Sequence, residues 1–308
     1  MKITSEGLLV QFDQHLVEES VLLAAEFASP SEKDVFRSER DAIYDVEITD
    51  IRETSFRELD ARWFQSFGVA DVLLEVLREH PSLVNRVSGC FVLPARSSKD
   101  EAADLHATKG QTADASLLPA LVIHLQTKTL VSTEPLTSLL RHELLHITDM
   151  LEPEFGYKPS LPELDGGPML QRLIQDRYRV LWNTTVDGRL ATRGGLPVQQ
   201  AERRRREEFL ATFRMLGAEA GRHFERFFHE SRPTHAQLVS FALRPTGSEG
   251  KSGQQCPLCS LPTSNLHPHP GGLHHRVVVA IHKDFPEWKQ GMGLCLQCAD
   301  LYDTRVPE

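Results

Sequence analysis

The chain has 308 residues, of which 40% are hydrophobic and 25% are charged, a composition typical of a globular protein that buries a core. Its 34 Lys and Arg residues against 43 Asp and Glu residues give a formal net charge of −9. This charge argues against nucleic acid as the main partner, because phosphate backbones are gripped by clustered cations. No segment has the pattern of a signal peptide or a membrane-spanning helix, so the sequence predicts a cytoplasmic protein without a membrane partner.

The first half of the chain alternates between helical and strand-like patterns. Apolar spacing predicts a helix over 7–27 that ends near Pro30, and alternation of apolar and polar residues predicts a strand over 44–52. The pattern then predicts helices over 55–66 and 69–79, a short strand over 87–93, a long polar loop over 95–116 and a strand over 117–131.

The second half is predicted to be mostly helical. Thr133, Glu134 and Pro135 form a helix start, and the helix runs to about residue 151. Further helices are predicted over 168–191, 198–216, 218–230 and 234–243, followed by a polar, glycine-rich linker at 245–255. We therefore predict an α+β fold, mostly helical with a small sheet, over residues 1–244, and a small zinc ribbon over residues 254–308.

Four of the five cysteines fall into two C-x-x-C pairs, which are Cys256 with Cys259 and Cys295 with Cys298. Two such pairs supply the four thiolates of a tetrahedral zinc site, and a module this small needs the metal to fold. The intervening Val277–Ile281 run predicts a ribbon strand. Nearby histidines (His267, His269, His274, His275 and His282) are read as exposed loop residues, with replacement of a cysteine ligand as the alternative.

The sequence His142-Glu143-Leu144-Leu145-His146 matches the H-E-x-x-H motif. Histidines four residues apart share one helix face, so both can reach one zinc ion, and the glutamate between them can take a proton from water at the metal. The alternative is a pair of surface histidines on an ordinary helix.

A catalytic zinc also needs a third protein ligand, and no histidine follows His146 until His223. The next long helix offers Asp187 as the first candidate and Asp176 as the second, with ion pairs to Arg189 and Arg179 as the alternative roles. Asp149 lies too far along the motif helix for easy ligation, so we predict that it orients a ligand or contacts substrate.

Other side chains are candidates for contacts with the substrate. Tyr157 and Tyr178 could stabilise a developing oxyanion, and Arg177, Arg179 and Arg189 could bind a substrate carboxylate. Each of the two tyrosines could equally be a core or rim residue.

At His142, Glu143 and His146 the chain resembles the zincin metallopeptidases, and an acidic third ligand from a following helix resembles their gluzincin branch. This resemblance implies that the strand before the motif helix, residues 119–127, binds an extended peptide. A motif domain followed by a four-cysteine ribbon is also similar to the SprT-like proteases, which use a third histidine after the motif.

The sequence thus predicts a zinc metallopeptidase with one catalytic and one structural Zn²⁺, acting on a peptide or protein. Zinc would be held by His142, His146 and Asp187, and Glu143 would be the general base. The alternative function is a non-enzymatic module that binds a protein partner through the ribbon and carries a degenerate motif. A third interpretation, nucleic-acid binding through the ribbon, is disfavoured by the negative charge.

Overall fold

The computed structural model describes residues 1–106, 118–162, 167–194, 198–245, 254–259, 262–263, 266–267 and 272–305. The chain divides into two compact units, Met1–Leu151 and Glu152–Glu308. The predicted fold class is confirmed, since the described chain is mostly helical with a small mixed sheet and a C-terminal cluster of four cysteines.

The first unit contains strands β1 to β5 and helices α1 to α7. The strands are β1 (Lys2–Ser5), β2 (Leu8–Phe12), β3 (Cys90–Pro94), β4 (Ala102–His106) and β5 (Ala120–Leu125). The helices are α1 (Gln14–Phe27), α2 (Pro30–Tyr44), α3 (Thr49–Ser66), α4 (Asp71–Arg78), α5 (Pro81–Val84), α6 (Thr127–Leu130) and α7 (Thr133–Leu151).

The described strands form one sheet in the order β1-β2-β3-β5-β4. Strands β2, β3 and β5 are parallel, whereas β1 and β4 run antiparallel to their neighbours. Strand β5 therefore lies inside the sheet, and β4 forms the edge nearest to it. The resemblance placed the substrate-binding strand at 119–127, but β5 has a neighbour on each side, and β1 and β4 are the edges among the described strands.

The helix predicted over 7–27 is confirmed over Gln14–Phe27, and the strand predicted over 117–131 is confirmed over Ala120–Leu125, whereas Thr127–Leu130 form α6. The remaining differences in this unit are the following. Residues 8–12 form β2 rather than helix, because Glu6 and Gly7 adopt positive φ angles of 49° and 89° and close a two-residue hairpin. Residues 44–52 form the end of α2 and the start of α3, and Ile48 and Ile51 stay exposed there. The predicted loop at 95–116 contains β4, and residues 107–117 lie outside the described residues.

Side-chain caps mark the starts of α1 and α2. The Asp13 carboxylate accepts hydrogen bonds from the backbone N–H groups of His15 and Leu16 at the start of α1. Ser29 and Glu32 form a reciprocal capping box on α2, whose first residue is Pro30. Such caps satisfy backbone donors that the helix itself leaves unpaired.

Asp60 on α3 is expected to make the stability of this unit depend on pH. The residue is 5% exposed, and burial, reinforced by Glu18 and opposed by Arg40, raises the pKa of its carboxyl to about 6 from an ordinary value of 3.8. The folded state then holds a proton that the unfolded state has lost, so stability falls as pH rises through the window between these two values. We expect Asp60→Asn to remove this slope and to stabilise the protein by about 1–3 kcal/mol at neutral pH.

Urea titrations of the wild type and of Asp60→Asn from pH 4 to pH 8 measure this effect. Asp50→Asn, an exposed change at the start of the same helix, is the control and should leave the slope unchanged. A pH slope of the same size in the wild type and in Asp60→Asn would contradict the prediction.

The second unit is mainly helical. Its helices are α8 (Gly167–Thr192), α9 (Val198–Thr212), α10 (Ala220–Phe228), α11 (His235–Leu243), α12 (His275–Asp284) and α13 (Leu296–Arg305). Short 3-10 turns cover Arg214–Glu219 and Gln290–Met292, and the strands β6 (Gln254–Gln255) and β7 (Pro262–Thr263) pair antiparallel.

The Val277–Ile281 run, predicted as a strand, is part of helix α12. Val277 and Ile281 are 1% and 0% exposed, whereas Val279 between them is 53% exposed. Residues four apart share a helix face, so this arrangement buries two of the β-branched side chains on one side. Packing in the tertiary structure thus overrides the strand propensity of valine and isoleucine.

The cysteine-bearing segment shares one apolar core with the helices of the second unit. Buried residues of α8 to α11, such as Leu173, Phe209 and Leu238, belong to the same cluster as the four cysteines. The predicted division at 244/254 stays a prediction, since residues 246–253 lie outside the described residues. Among the described helices, none is both long enough and apolar enough to span a bilayer.

Candidate metal centres

Helix α7 presents the motif residues on the side away from the apolar core. Its buried residues Leu136, Leu140, Leu144 and Ile147 follow helical spacing and pack in the core of the first unit. The same spacing places His142, His146 and Asp149 together on the opposite side of the helix. The local sequence therefore determines which face carries the motif.

Side chains from residues 79–86 hold this helix in position. Arg141 donates to both carboxylate oxygens of Glu79, from Nε to Oε2 at 2.9 Å and to Oε1 at 3.2 Å, and from Nη2 to Oε1 at 2.6 Å. Nδ1 of His80 lies 3.1 Å from Oγ1 of Thr148, and Arg86 donates to the carbonyl of Leu151 at 2.8 Å. These contacts lie just before and just after the motif along the helix.

The two motif histidines converge on one point. Their Nε2 atoms lie 3.2 Å apart, and the ring centroids are separated by 4.8 Å at an interplanar angle of 70°. A tetrahedral zinc ion with Zn–N distances of about 2.0–2.1 Å holds two nitrogens roughly 3.4 Å apart. The two ring nitrogens thus fit a pair of ligands to a single zinc ion.

Glu143 reaches from the same helix toward the edge of the sheet. Its Oε2 atom accepts a long hydrogen bond of 3.4 Å from the backbone N–H of Ala103 in β4. The carboxylate therefore lies against β4, which is an edge strand among the described strands. The sequence alone did not indicate this contact.

No third metal ligand joins the two histidines among the residues that the structure describes. Among these residues, ligand atoms of three or more His, Cys, Asp or Glu side chains come together at the four cysteines only. Asp149 is 5% exposed on α7. Asp176 is exposed on α8 and lies 4.0 Å from Arg179, which matches the ion pair named as its alternative role.

Asp187 is buried in an ion-pair network of the second unit. Its side chain is 0% exposed, and its Oδ2 atom accepts hydrogen bonds from Arg204 at 3.1 Å and Arg205 at 2.6 Å. Burial opposes the charge on Arg205, yet its contacts with Asp187 and Glu208 outweigh burial and raise the pKa of that guanidinium. These contacts favour a stabilising role for Asp187, and ligation by it stays a prediction.

Replacement of Asp187 separates the two roles. We expect Asp187→Asn to destabilise the second unit by about 2 kcal/mol, because it leaves the buried Arg205 with less compensation, and to leave the zinc content unchanged. Urea unfolding and elemental analysis measure the two quantities. Asp176→Asn, on an exposed turn of the same helix, is the control, and loss of one zinc in Asp187→Asn alone would establish ligation instead.

The remaining substrate-contact candidates lie in the second unit. The Tyr178 hydroxyl is 2.8 Å from Nδ1 of His235, and the Tyr157 ring packs against Trp182 and His235. Arg179 pairs with Glu208 at 3.2 Å, and Nε of Arg189 donates to the carbonyl of Thr185. Both tyrosines thus belong to an aromatic cluster, and their roles toward an oxyanion stay predictions.

The four paired cysteines form a tetrahedral cluster. The Sγ atoms of Cys256 and Cys298 are 3.9 Å apart, those of Cys259 and Cys295 are 3.8 Å apart, and all four lie within 4.8 Å of one another. Zn–S distances of about 2.3 Å place tetrahedral thiolates roughly 3.8 Å apart. All four cysteines are buried and unbridged, so their arrangement fits a closed structural zinc site.

Backbone N–H groups donate hydrogen bonds to sulfur atoms of this cluster. The N–H groups of Cys295 and Cys298 donate to the sulfurs of Cys256 and Cys295, at 3.3 Å and 3.4 Å. His274, His275 and His282 are exposed as predicted, but His275 and His282 belong to helix α12 rather than to a loop. His267 is half-buried, and His269 lies outside the described residues. Within the described residues the ligand cluster contains cysteines alone, which confirms a four-cysteine arrangement.

Arg177 is a buried cation in the same unit. It is 2% exposed, and its Nη1 atom donates to the carbonyl of Ala242 at 3.3 Å. Burial lowers the pKa of its guanidinium, while the thiols of Cys259, Cys295 and Cys298 act in the opposite direction. Four thiolates around Zn²⁺ would carry a net charge of −2, which this cation would partly offset, and binding of a substrate carboxylate by Arg177 stays a prediction.

Cys90 differs from the other cysteines. It lies in β3 with 0% exposure, and burial raises the pKa of its thiol to about 12. A thiol held in its neutral form by apolar surroundings is a poor metal ligand and a poor nucleophile. Cys90 is therefore a core residue.

Comparisons of the chain with family models, with curated proteins and with solved structures return no match. The resemblance to zincins therefore rests on the motif and on the geometry described above.

Proposed function

We propose that the protein is a zinc-dependent metallopeptidase of zincin-like type, in which His142 and His146 hold the catalytic zinc. The observation that carries this proposal is the separation of 3.2 Å between the two Nε2 atoms. Two neutral imidazoles at this distance suit one zinc ion and leave room for further ligands. An acidic third ligand, as in the gluzincin branch, remains part of the proposal; the ion pairs of Asp187 with Arg204 and Arg205 favour a stabilising role for this first candidate, and loss of one zinc ion in Asp187→Asn would restore it as the ligand.

The edge of the sheet beside Glu143 supports a peptide as the substrate. Strand β4 pairs only with β5 among the described strands, so its outer N–H and C=O groups can pair with an extended chain. A peptide added there would pass Ala103, whose N–H already contacts Glu143. This placement would bring a scissile carbonyl next to the proposed base.

When bound, the zinc ion would polarise the scissile carbonyl and increase the acidity of water at the site. Glu143 would take a proton from the attacking water while the oxygen of that water forms a bond to the carbonyl carbon. Glu143 would then give that proton to the amide nitrogen as the C–N bond breaks, releasing a carboxylic acid and an amine, and transfer of the acid's proton to the amine would leave a carboxylate and an ammonium group. His142 and His146 would stay neutral throughout, as metal ligation requires.

The four-cysteine site is proposed to act structurally. A site with four thiolate ligands has no open position for substrate, and its cysteines lie within the core of the second unit. Zinc binding there would stabilise that unit, and the exposed surface around it could also receive a protein partner. A protein-binding module without catalysis is the rival function, and it requires one zinc rather than two.

Zinc stoichiometry tests the proposal. We expect elemental analysis of the purified full-length chain to give two zinc ions per molecule. Replacement of both His142 and His146 by alanine should lower the content to one, because the motif site loses two nitrogen ligands while the cysteines stay intact.

The double variant His274→Ala, His275→Ala is the matched control, since it removes two exposed histidines near the cysteine site. It should retain two zinc ions. A single zinc ion in both the wild type and the motif variant would contradict the metallopeptidase proposal and favour the protein-binding module.

A further inference from the structure

A groove in the second unit lies between residues 156–162 and helix α11. Its volume is about 800 Å³, which is within the range of small-molecule sites. Leu161, Val239 and Leu243 supply apolar side chains to the lining, and Lys158 and Arg244 are its charged residues. The groove therefore combines an apolar wall with two cations.

The two cations are available to a ligand. Both side chains are exposed, and neither forms an ion pair with any residue that the structure describes. The described lining contains no carboxylate. In a chain with a net charge of −9, a groove whose charged groups are all positive within its described lining has a local potential there that favours an anion.

His235 adds a buried polar group to the lining. It is 5% exposed, its backbone N–H donates to the carbonyl of Phe155 at 2.8 Å, and Nδ1 lies 2.8 Å from the Tyr178 hydroxyl. Burial, followed by the nearby Lys158, lowers the pKa of the ring, so the imidazole is neutral near pH 7. When the phenol donates to Nδ1, Nε2 carries the ring proton and can donate to an acceptor.

We propose that this groove binds an amphipathic monocarboxylate, a ligand with one carboxylate and an unbranched apolar chain. The chain would lie against Leu161, Val239 and Leu243, and the carboxylate would be held by Lys158 and Arg244. The combination of an aliphatic wall and two cations favours such a ligand over a neutral lipid, because a neutral lipid has no negative group to pair with the cations. It also disfavours a polyphosphate, which has no apolar part to bury.

Calorimetric titration of the zinc-loaded full-length chain with octanoate, decanoate and dodecanoate, below their micellar concentrations, tests this inference. We expect the affinity to rise about 3–4-fold for each added methylene, as burial of the chain requires. Replacement of both Lys158 and Arg244 by alanine should weaken decanoate binding at least about tenfold. The neutral analogue decan-1-ol should bind the wild type and this variant equally.

Arg232→Ala removes an exposed cation of the same unit outside the groove and is the matched control. Leu243→Ser is the second variant and should reduce the gain per methylene without removing the dependence on charge. Absence of decanoate binding by the wild type, or equal binding by the double variant, would overturn the proposal. Binding of acetyl-trileucine but not of decanoate would also overturn it, in favour of a peptide groove.

Discussion

Glu143→Gln is expected to lower peptide hydrolysis by a factor of about 10²–10⁴ while both zinc ions remain bound. The amide is close to isosteric with the carboxylate but cannot take a proton from water, and loss of a general base typically costs this much. Its oxygen can still accept the hydrogen bond from Ala103, so the contact with β4 survives. Cleavage of a random peptide mixture, followed by mass spectrometry, measures the rate.

Glu134→Gln is the matched control for this experiment. Glu134 is exposed in the first turn of the same helix, so the identical chemical change there should leave the rate within about twofold of the wild type. Equal hydrolysis by Glu143→Gln and the wild type would remove Glu143 from the mechanism. A wild type that carries two zinc ions yet cleaves no peptide would contradict the proposed reaction.

Gly188→Ala is expected to destabilise the second unit by more than about 3 kcal/mol. A Cβ atom at this position of α8 would lie 1.7 Å from the carbonyl oxygen of Phe228 and 2.7 Å from its carbonyl carbon. Those atoms belong to the backbone at the end of α10, so no rotamer change relieves the overlap. The helices would have to move apart, which would open the core around Phe224 and Phe228.

Gly221→Ala is the control, and its expected change in stability has the opposite sign. Gly221 lies in α10, and a Cβ atom there would meet no heavy atom within 4 Å. Because alanine is the better helix former, this variant should gain about 0.5–1 kcal/mol. Urea unfolding, with hydrogen exchange of the amides in α8 and α10, measures both, and a neutral Gly188→Ala would contradict the close packing of these helices.

The cysteine cluster and the histidine pair were both predicted from the sequence because the residues of each are close together along the chain. Histidines at i and i+4 share a helix face wherever the helix lies, and a C-x-x-C pair places two sulfurs together within one turn. The two histidines in the structure are 3.2 Å apart at Nε2, and the sulfurs of the two cysteine pairs meet at 3.8 Å and 3.9 Å. The two cysteine pairs could be assigned to one site because a structural zinc ion needs four ligands and each pair supplies two.

Assignments that depend on distant partners were less accurate. The polar stretch at 95–116 carries no strand pattern of its own, and β4 forms there because β5 offers it a ladder of hydrogen bonds. Likewise, residues 44–52 alternate apolar and polar side chains but pair with no described strand, and they contribute to the end of α2 and the start of α3. Strand formation depends on a partner that the local sequence does not contain.

The sequence by itself determined the helical character of most of the chain, the face of α7 that carries the motif, and the composition of the cysteine cluster. Only the tertiary structure decided that Asp187 pairs with Arg204 and Arg205, that Glu143 faces the edge of β4, and that Lys158 and Arg244 line one groove. The physical reason is the range of the interactions. Helical periodicity and ligand spacing act over a few residues, whereas ion pairs, sheet edges and grooves arise where segments far apart in sequence are packed together.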